Sequence, residues 1–169
     1  MGLIVRREAR SIKLMNEAFM REAIALSIEK MEAGEGGPFG AIVVKDGEVI
    51  GRGWNRVTSA NDPTAHAEVM AIRDACSKLN TFDLSGCELY ASCEPCPMCL
   101  SAIYWARLDK LTFAATRADA ASAGFDDEFL YQEVSKPWKT RELIAEQGLT
   151  TEAQKAFAAW KVKEDRRTY

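Results

Sequence analysis

His66 is the only histidine in the chain, and Glu68 follows it in Thr64-Ala65-His66-Ala67-Glu68. Three cysteines recur at every third position in Ser92-Cys93-Glu94-Pro95-Cys96-Pro97-Met98-Cys99. Imidazole and thiolate are ligands that zinc takes tetrahedrally, and a catalytic site uses three of them and leaves the fourth place to water. Such a water loses its proton near neutral pH. Glu68 as a ligand would close the open place. As a neighbour it can take that proton and pass it on as general base and then general acid.

The ligand set has to be weighed, because Cys93-x-x-Cys96 is as good a pair by spacing as Cys96-x-x-Cys99. Pro95 suits the first turn of a helix, so a helix starting at Pro95 or Cys96 would carry Cys96 and Cys99 and leave Cys93 before it. Residues three apart on a helix share a face, and the positive helix end favours thiolates. His66, Cys96 and Cys99 are therefore the favoured zinc ligands. Plainer readings exist for each part. A lone helical histidine is usually no ligand, and a C-x-x-C pair can be redox-active or half of a structural site. All three cysteines with His66 could close a structural site, and a first-turn glutamate can simply answer the helix dipole. The joint occurrence of histidine, glutamate and cysteine pair favours chemistry.

These residues need elements to carry them. A 3.6-residue apolar rhythm through Leu14, Ala18, Phe19, Ala23, Leu26 and Met31 predicts a helix over 11–33, ended by Gly34, Gly36 and Gly37. Phe39–Lys45 and Glu48–Asn55 read as a hairpin turned at Asp46-Gly47. A polar loop, 56–63, leads to a second helix over 64–79. A strand over 87–92 precedes the cysteine helix, which runs to about Ala106, and a fourth strand covers 110–114. A short helix follows near 126–131. Residues 138–148 read as a fifth strand or a helix turn. The last helix, 151–166, carries Ala153, Ala156, Phe157 and Trp160 on one face. A hairpin followed by helix-linked strands implies an α/β fold with a mixed sheet and helices on both faces.

The chain has 169 residues, 47% of them hydrophobic, which suits a single domain with its own core. No apolar run approaches the roughly 20 residues that span a bilayer, and the N-terminus does not read as a signal peptide. The expectation is a cytosolic protein without a membrane partner. Net charge is −3, where a chain holding a large nucleic acid usually shows a basic surplus or stripe. Lys161, Lys163, Arg166 and Arg167 are interrupted by Glu164 and Asp165 and read as a solvated face. The charge balance favours a small substrate. Cys76 and Cys87 stand apart in apolar surroundings and read as buried spectators.

The chain resembles the cytidine deaminase-like superfamily of zinc deaminases and, within it, the bacterial guanine deaminases. The resemblance covers nearly the whole length. It rests on Gly36-Gly37-Pro38-Phe39-Gly40-Ala41, on Asn61-Asp62-Pro63-Thr64-Ala65-His66-Ala67-Glu68, on Ser92 to Cys99 with Ala102-Ile103-Tyr104-Trp105-Ala106-Arg107, and on Ala123-Gly124-Phe125-Asp126-Asp127. The zinc motif names only the superfamily; the last piece, with Tyr169, narrows it.

The resemblance implies a three-layer α/β/α sandwich with a mixed five-stranded sheet, one domain over 1–169, and one Zn²⁺ per subunit held by His66, Cys96 and Cys99. It implies Glu68 as proton shuttle, Asn55 and the backbone at Ala67 as contacts to a purine, Phe39 packed on the base, and Asp127 accepting from the guanine edge. It further implies a homodimer in which residues from about 135 to 169 are exchanged, so that Tyr169 closes the partner's pocket. On the residues alone, Asn55 could finish a strand, Phe39 could be core, and Asp126 and Asp127 could cap a helix. Competing activities are deamination of guanosine, an aminotriazine or a tRNA adenosine. A zinc-stabilised binding protein would have no use for Glu68.

Overall fold

The computed structural model describes residues 15–168. In chain order the elements are α1 (Glu17–Glu32), β1 (Gly40–Lys45), β2 (Glu48–Trp54), α2 (Val57–Ala60), α3 (Ala67–Leu79), β3 (Cys87–Cys93), α4 (Pro97–Trp105), β4 (Lys110–Ala115), α5 (Arg117–Ser122), α6 (Glu128–Ser135) and α7 (Thr150–Val162). The described strands form one sheet of order β2-β1-β3-β4. β1 pairs antiparallel with β2 and β3, while β3 and β4 are parallel and joined through α4. The sheet is mixed, as the sequence implied.

Side chains on a strand alternate between faces, and β1 uses both. Ala41 and Val43 join Ala71, Ala75, Leu89, Ala91 and Ile103 in the core beneath α3 and α4. Ile42 and Val44 join Met20, Ala23 and Tyr90 beneath α1. The result is a sheet between two helical layers. No helix among the described residues is long and apolar enough to cross a membrane.

Asp46 and Gly47 both have positive φ (51° and 85°), the backbone of a two-residue hairpin turn that follows the strand twist. β2 then lies very close to α3. A Cβ on Gly53 would sit 2.2 Å from the Ala67 carbonyl oxygen and 2.2 Å from the Ala71 nitrogen. A side chain at Gly53 would therefore push the start of α3 off the sheet.

Several boundaries differ from the sequence reading. α1 begins at Glu17 because the Asn16 side chain accepts from the Ala18 N–H and caps it; the expected residues 11–14 lie outside the described ones. α3 starts at Ala67 rather than Thr64, since His66 is still extended. α4 starts at Pro97 rather than at Pro95 or Cys96. A proline disfavours helical backbone in the residue before it, and Cys96 is extended (φ −65°, ψ 169°). The polar loop after β2 contains the short α2, and the loop after β4 contains α5, closed by a capping box between Thr116 and Asp119.

Four strands are present among the described residues, one fewer than the five implied. The segment read as a fifth strand or a helix turn holds a single 3₁₀ turn at Trp138–Thr140, the second of those readings. The carboxylate of Glu133 receives the Glu142 N–H at 2.8 Å and pairs with Lys136, which folds this stretch back on the end of α6. α7 follows, with every residue exposed. Its Phe157 and Trp160 remain 69 and 40% exposed.

Candidate active site

The carboxyl ends of β2, β3 and β4 and the start of β1 meet at one end of the sheet. There the N-caps of α3 and α4, His66 and Cys96, come together. Asp62 accepts from both the N–H and the hydroxyl of Thr64 at 2.8 and 2.6 Å, and Arg73 lies 3.6 Å from its other oxygen. Ala65 then gives its carbonyl to the Arg56 N–H at 2.9 Å. This loop delivers His66 as the N-cap of α3. On the other side, the Glu94 N–H reaches the Ala115 carbonyl at 2.9 Å and sets Cys96 as the N-cap of α4.

An N-cap side chain ordinarily accepts a hydrogen bond from its own helix. His66 does not do so, and the side chains of His66 and Cys96 turn toward one another. The ligand atoms of His66, Cys96 and Cys99 all lie within 4.8 Å of one another. His66 Nδ1 is 3.6 Å from Cys96 Sγ. Two tetrahedral arms of about 2.05 Å to nitrogen and about 2.3 Å to sulfur would place those atoms about 3.6 Å apart. The donors therefore fit one zinc ion, with Nδ1 as the imidazole ligand.

The electrostatics suit a cation. The Cys96 thiol is pulled down to about 4, first by its hydrogen bond with Cys99 and then by His66, against the cost of burial. His66 is raised, chiefly by Cys96. Cys99 shares the proton of this pair, and that bond and burial push it up; a coordinating dication deprotonates such a thiol outright. Glu68, in the first turn of α3, is 8% exposed. Its burial raises the carboxyl, while the Cys99 thiol beside it acts in the opposite direction. Cys93 is not one of this ligand group. Its sulfur lies 3.6 Å from the Thr116 carbonyl, and burial pushes its thiol up to about 11.

In front of the ligands lies a cavity of about 500 Å³. Phe39, Asn55, His66, Glu68, Cys96 and Asp127 line it, together with Gly37, Thr58, Arg117 and Phe125. Cys99 is fully buried behind the cavity. Ala67 is buried in the core and does not line the cavity, and Tyr169 lies outside the described residues.

Asn55 has a fixed sense. Its Oδ1 receives the Gly37 N–H at 3.3 Å and the Val57 N–H at 3.2 Å, which leaves the amide NH₂ as its free face. Asp126, not Asp127, accepts from the Glu128 N–H, at 2.9 Å. Asp127 makes no side-chain cap bond, and burial raises its carboxyl. Phe39 and Phe125 meet edge to face, centroids 5.0 Å apart and planes at 87°.

A model of the cytidine and deoxycytidylate deaminase zinc-binding region matches residues 14–115. The chain belongs to this family. Its zinc-binding site is His66, Cys96 and Cys99. The guanine deaminase of Bacillus subtilis is 51% identical over 91% of the chain and 99% of its own length. The crystal structure of that B. subtilis protein superposes with a TM-score of 0.89, covering 92% of this chain and 99% of the other. A tRNA-specific adenosine deaminase of Aquifex aeolicus is 48% identical over 59% of this chain and 65% of its own. Likeness to the adenosine deaminase thus covers a smaller share of this deaminase chain than likeness to the guanine deaminase.

Sequence reading passed over Arg117, Phe125 and Tyr131 as site residues. Phe125 lay inside a quoted motif without a role. Nothing in the spacing of Arg117 or Tyr131 marks them, because they reach the site through α5 and α6.

Proposed function

We propose that the chain hydrolyses guanine to xanthine and ammonia. The observation that carries this reading is the pairing of an amide donor and a carboxylate acceptor across one cavity. Asn55 presents NH₂ because its oxygen is held by two backbone N–H groups. Asp127 presents a carboxylate that the helix start does not use. Guanine offers acceptors on one edge and ring N–H and amino donors on another. Adenine has an acceptor where guanine has the ring N–H, so it would meet the Asp127 carboxylate unfavourably. Polar sites of this kind discriminate by orders of magnitude. The cavity has room for a purine with Phe39 against its face.

Zinc bound by His66, Cys96 and Cys99 supplies Lewis acidity that makes water a nucleophile near neutral pH. Glu68 takes one proton from the attacking water as its oxygen adds to C2, and gives it to the ring nitrogen beside C2. It then carries the second water proton to the exocyclic nitrogen. The C2–N bond breaks, ammonia leaves and the C2 carbonyl remains. Burial around Glu68 keeps bulk water from competing for these protons and suits a carboxyl that must both accept and donate.

The exposed apolar face of α7 supports the exchange of residues from about 135 onward between two subunits, with Tyr169 closing the partner's pocket. Ammonia release from zinc-loaded protein tests the substrate, with guanine, guanosine, adenine, cytidine and an aminotriazine side by side. Guanine should dominate. Equal turnover of adenine would remove the Asp127 argument, and silence on all five would remove the activity. Light scattering tests the dimer; a monomer at assay concentration would remove the exchange.

A further inference from the structure

Asp127 is held in place by few apolar contacts. It precedes α6, whose Phe129, Leu130 and Val134 are 50, 45 and 57% exposed. Apart from Phe125 against Phe39 just before the helix, apolar packing therefore fixes it only weakly on the domain. Polar contacts to the metal-binding loop take its place. The Tyr131 hydroxyl, one turn beyond Asp127, donates to the Pro95 carbonyl at 2.9 Å. Pro95 is bonded directly to the ligand Cys96. The residue before it, Glu94, accepts the Arg117 N–H at 3.1 Å. The Arg117 guanidinium then lies 4.2 Å over the Tyr131 ring and pairs with Glu128. A circuit thus runs from Glu94 through α5 to α6 and returns to Pro95.

We infer that Tyr131, braced by Arg117, is a positioning residue that sets the place of Asp127 relative to the zinc ligands. The inference rests on the reading of Asp127 as the carboxylate that recognises the substrate. Tyr131 touches no ligand atom and acts through the backbone on either side of the cavity. Without its hydroxyl the start of α6 is no longer tied to the metal loop, and misplacement of about an ångström can cost up to about a hundredfold in rate.

The test is a cycle of Tyr131→Phe, Asp127→Asn and the double variant in the zinc-loaded full chain, assayed on guanine. Tyr131→Phe keeps the ring under Arg117, so zinc content and melting temperature should stay at the wild-type level. Its kcat/KM should fall about tenfold, as for one lost hydrogen bond, mostly through a rise in KM. Asp127→Asn should fall about a hundredfold or more. In the Asp127→Asn background, Tyr131→Phe should cost less than twofold. Where turnover is below detection, equilibrium dialysis of guanine against the same variants in a Glu68→Gln background reads the same cycle.

Wild-type behaviour of Tyr131→Phe beside an impaired Asp127→Asn overturns the positioning role alone. An equal cost of Tyr131→Phe in both backgrounds makes it a general structural contact and also overturns it. Wild-type behaviour of Asp127→Asn overturns the recognition reading underneath.

Discussion

The two sides of the cavity are built in different ways. The metal side stands on the sheet: Cys99 is fully buried, Glu68 nearly so, and α3 is pressed onto β2 at Gly53. The opposite side, Phe125 and Asp127, hangs from exposed helices tied by single hydrogen bonds and a stacked arginine. Reacting atoms need fixed positions, and a close-packed core provides them. A side that recognises a base, as proposed for Asp127, has to admit and release it, and lightly packed elements open at low free-energy cost.

The most severe test of this contrast is Glu68→Gln. Zinc should remain at one per subunit by elemental analysis, and turnover should fall by about a thousandfold or more. Retained turnover would mean that the buried side does not carry the chemistry. Removal of residues 150–169 probes the other side. Every residue of α7 is exposed in its own chain, so zinc content should hold, whereas under the proposed exchange guanine turnover should drop about tenfold or more. Collapse of the fold on truncation would merge the two regions into one.

Gly53→Ala attacks the metal side through packing. Overfilling this contact should cost about 1–3 kcal/mol in urea unfolding, with weaker zinc retention against a chelator. Phe125→Ala is the matching change on the recognition side. It removes an edge-to-face pair worth about 0.5–1.5 kcal/mol, so KM for guanine should rise while the unfolding midpoint falls by only a few degrees. The smallest effect concerns the loop that delivers His66. Hydrogen bonds from the Thr64 side chain and backbone hold the Asp62 carboxyl below its usual range. The folded-state pKa lies below the unfolded one, so its stabilisation is present above the unfolded value and fades as pH falls through the folded value. Asp62→Asn should therefore be less stable than wild type at neutral pH and indistinguishable from it in strong acid.

The metal side was legible because its signals are local. A histidine and glutamate two apart, and cysteines three apart beside prolines, fix a geometry whatever surrounds them. The hairpin at Asp46-Gly47 and the alternation in β1 were legible for the same reason, as both follow from backbone period and turn chemistry. The start of α4 was misplaced by the choice between two prolines: Pro97, not Pro95, takes the first helical position, and Cys96 becomes the cap. Arg117 and Tyr131 were invisible because their partners are a ring, a carbonyl and a carboxylate that the fold brings together. Residues 138–148 left strand and helix turn undecided because Trp138 is followed by four polar residues before Leu143, Ile144 and Ala145, a pattern with neither a two- nor a 3.6-residue period, and Glu133 folds the segment back through a contact no local pattern shows.

Cys96 stands between Pro95 and Pro97, and this has a consequence for how the protein acquires its metal. The extended backbone that aims its sulfur is imposed by the following ring, so little chain entropy remains to be lost when the ion arrives. Stripping and reloading should thus proceed on the folded protein, without refolding. A pocket set this rigidly for four short arms should accept other tetrahedral dications, such as cobalt, and discriminate against ions that require six ligands.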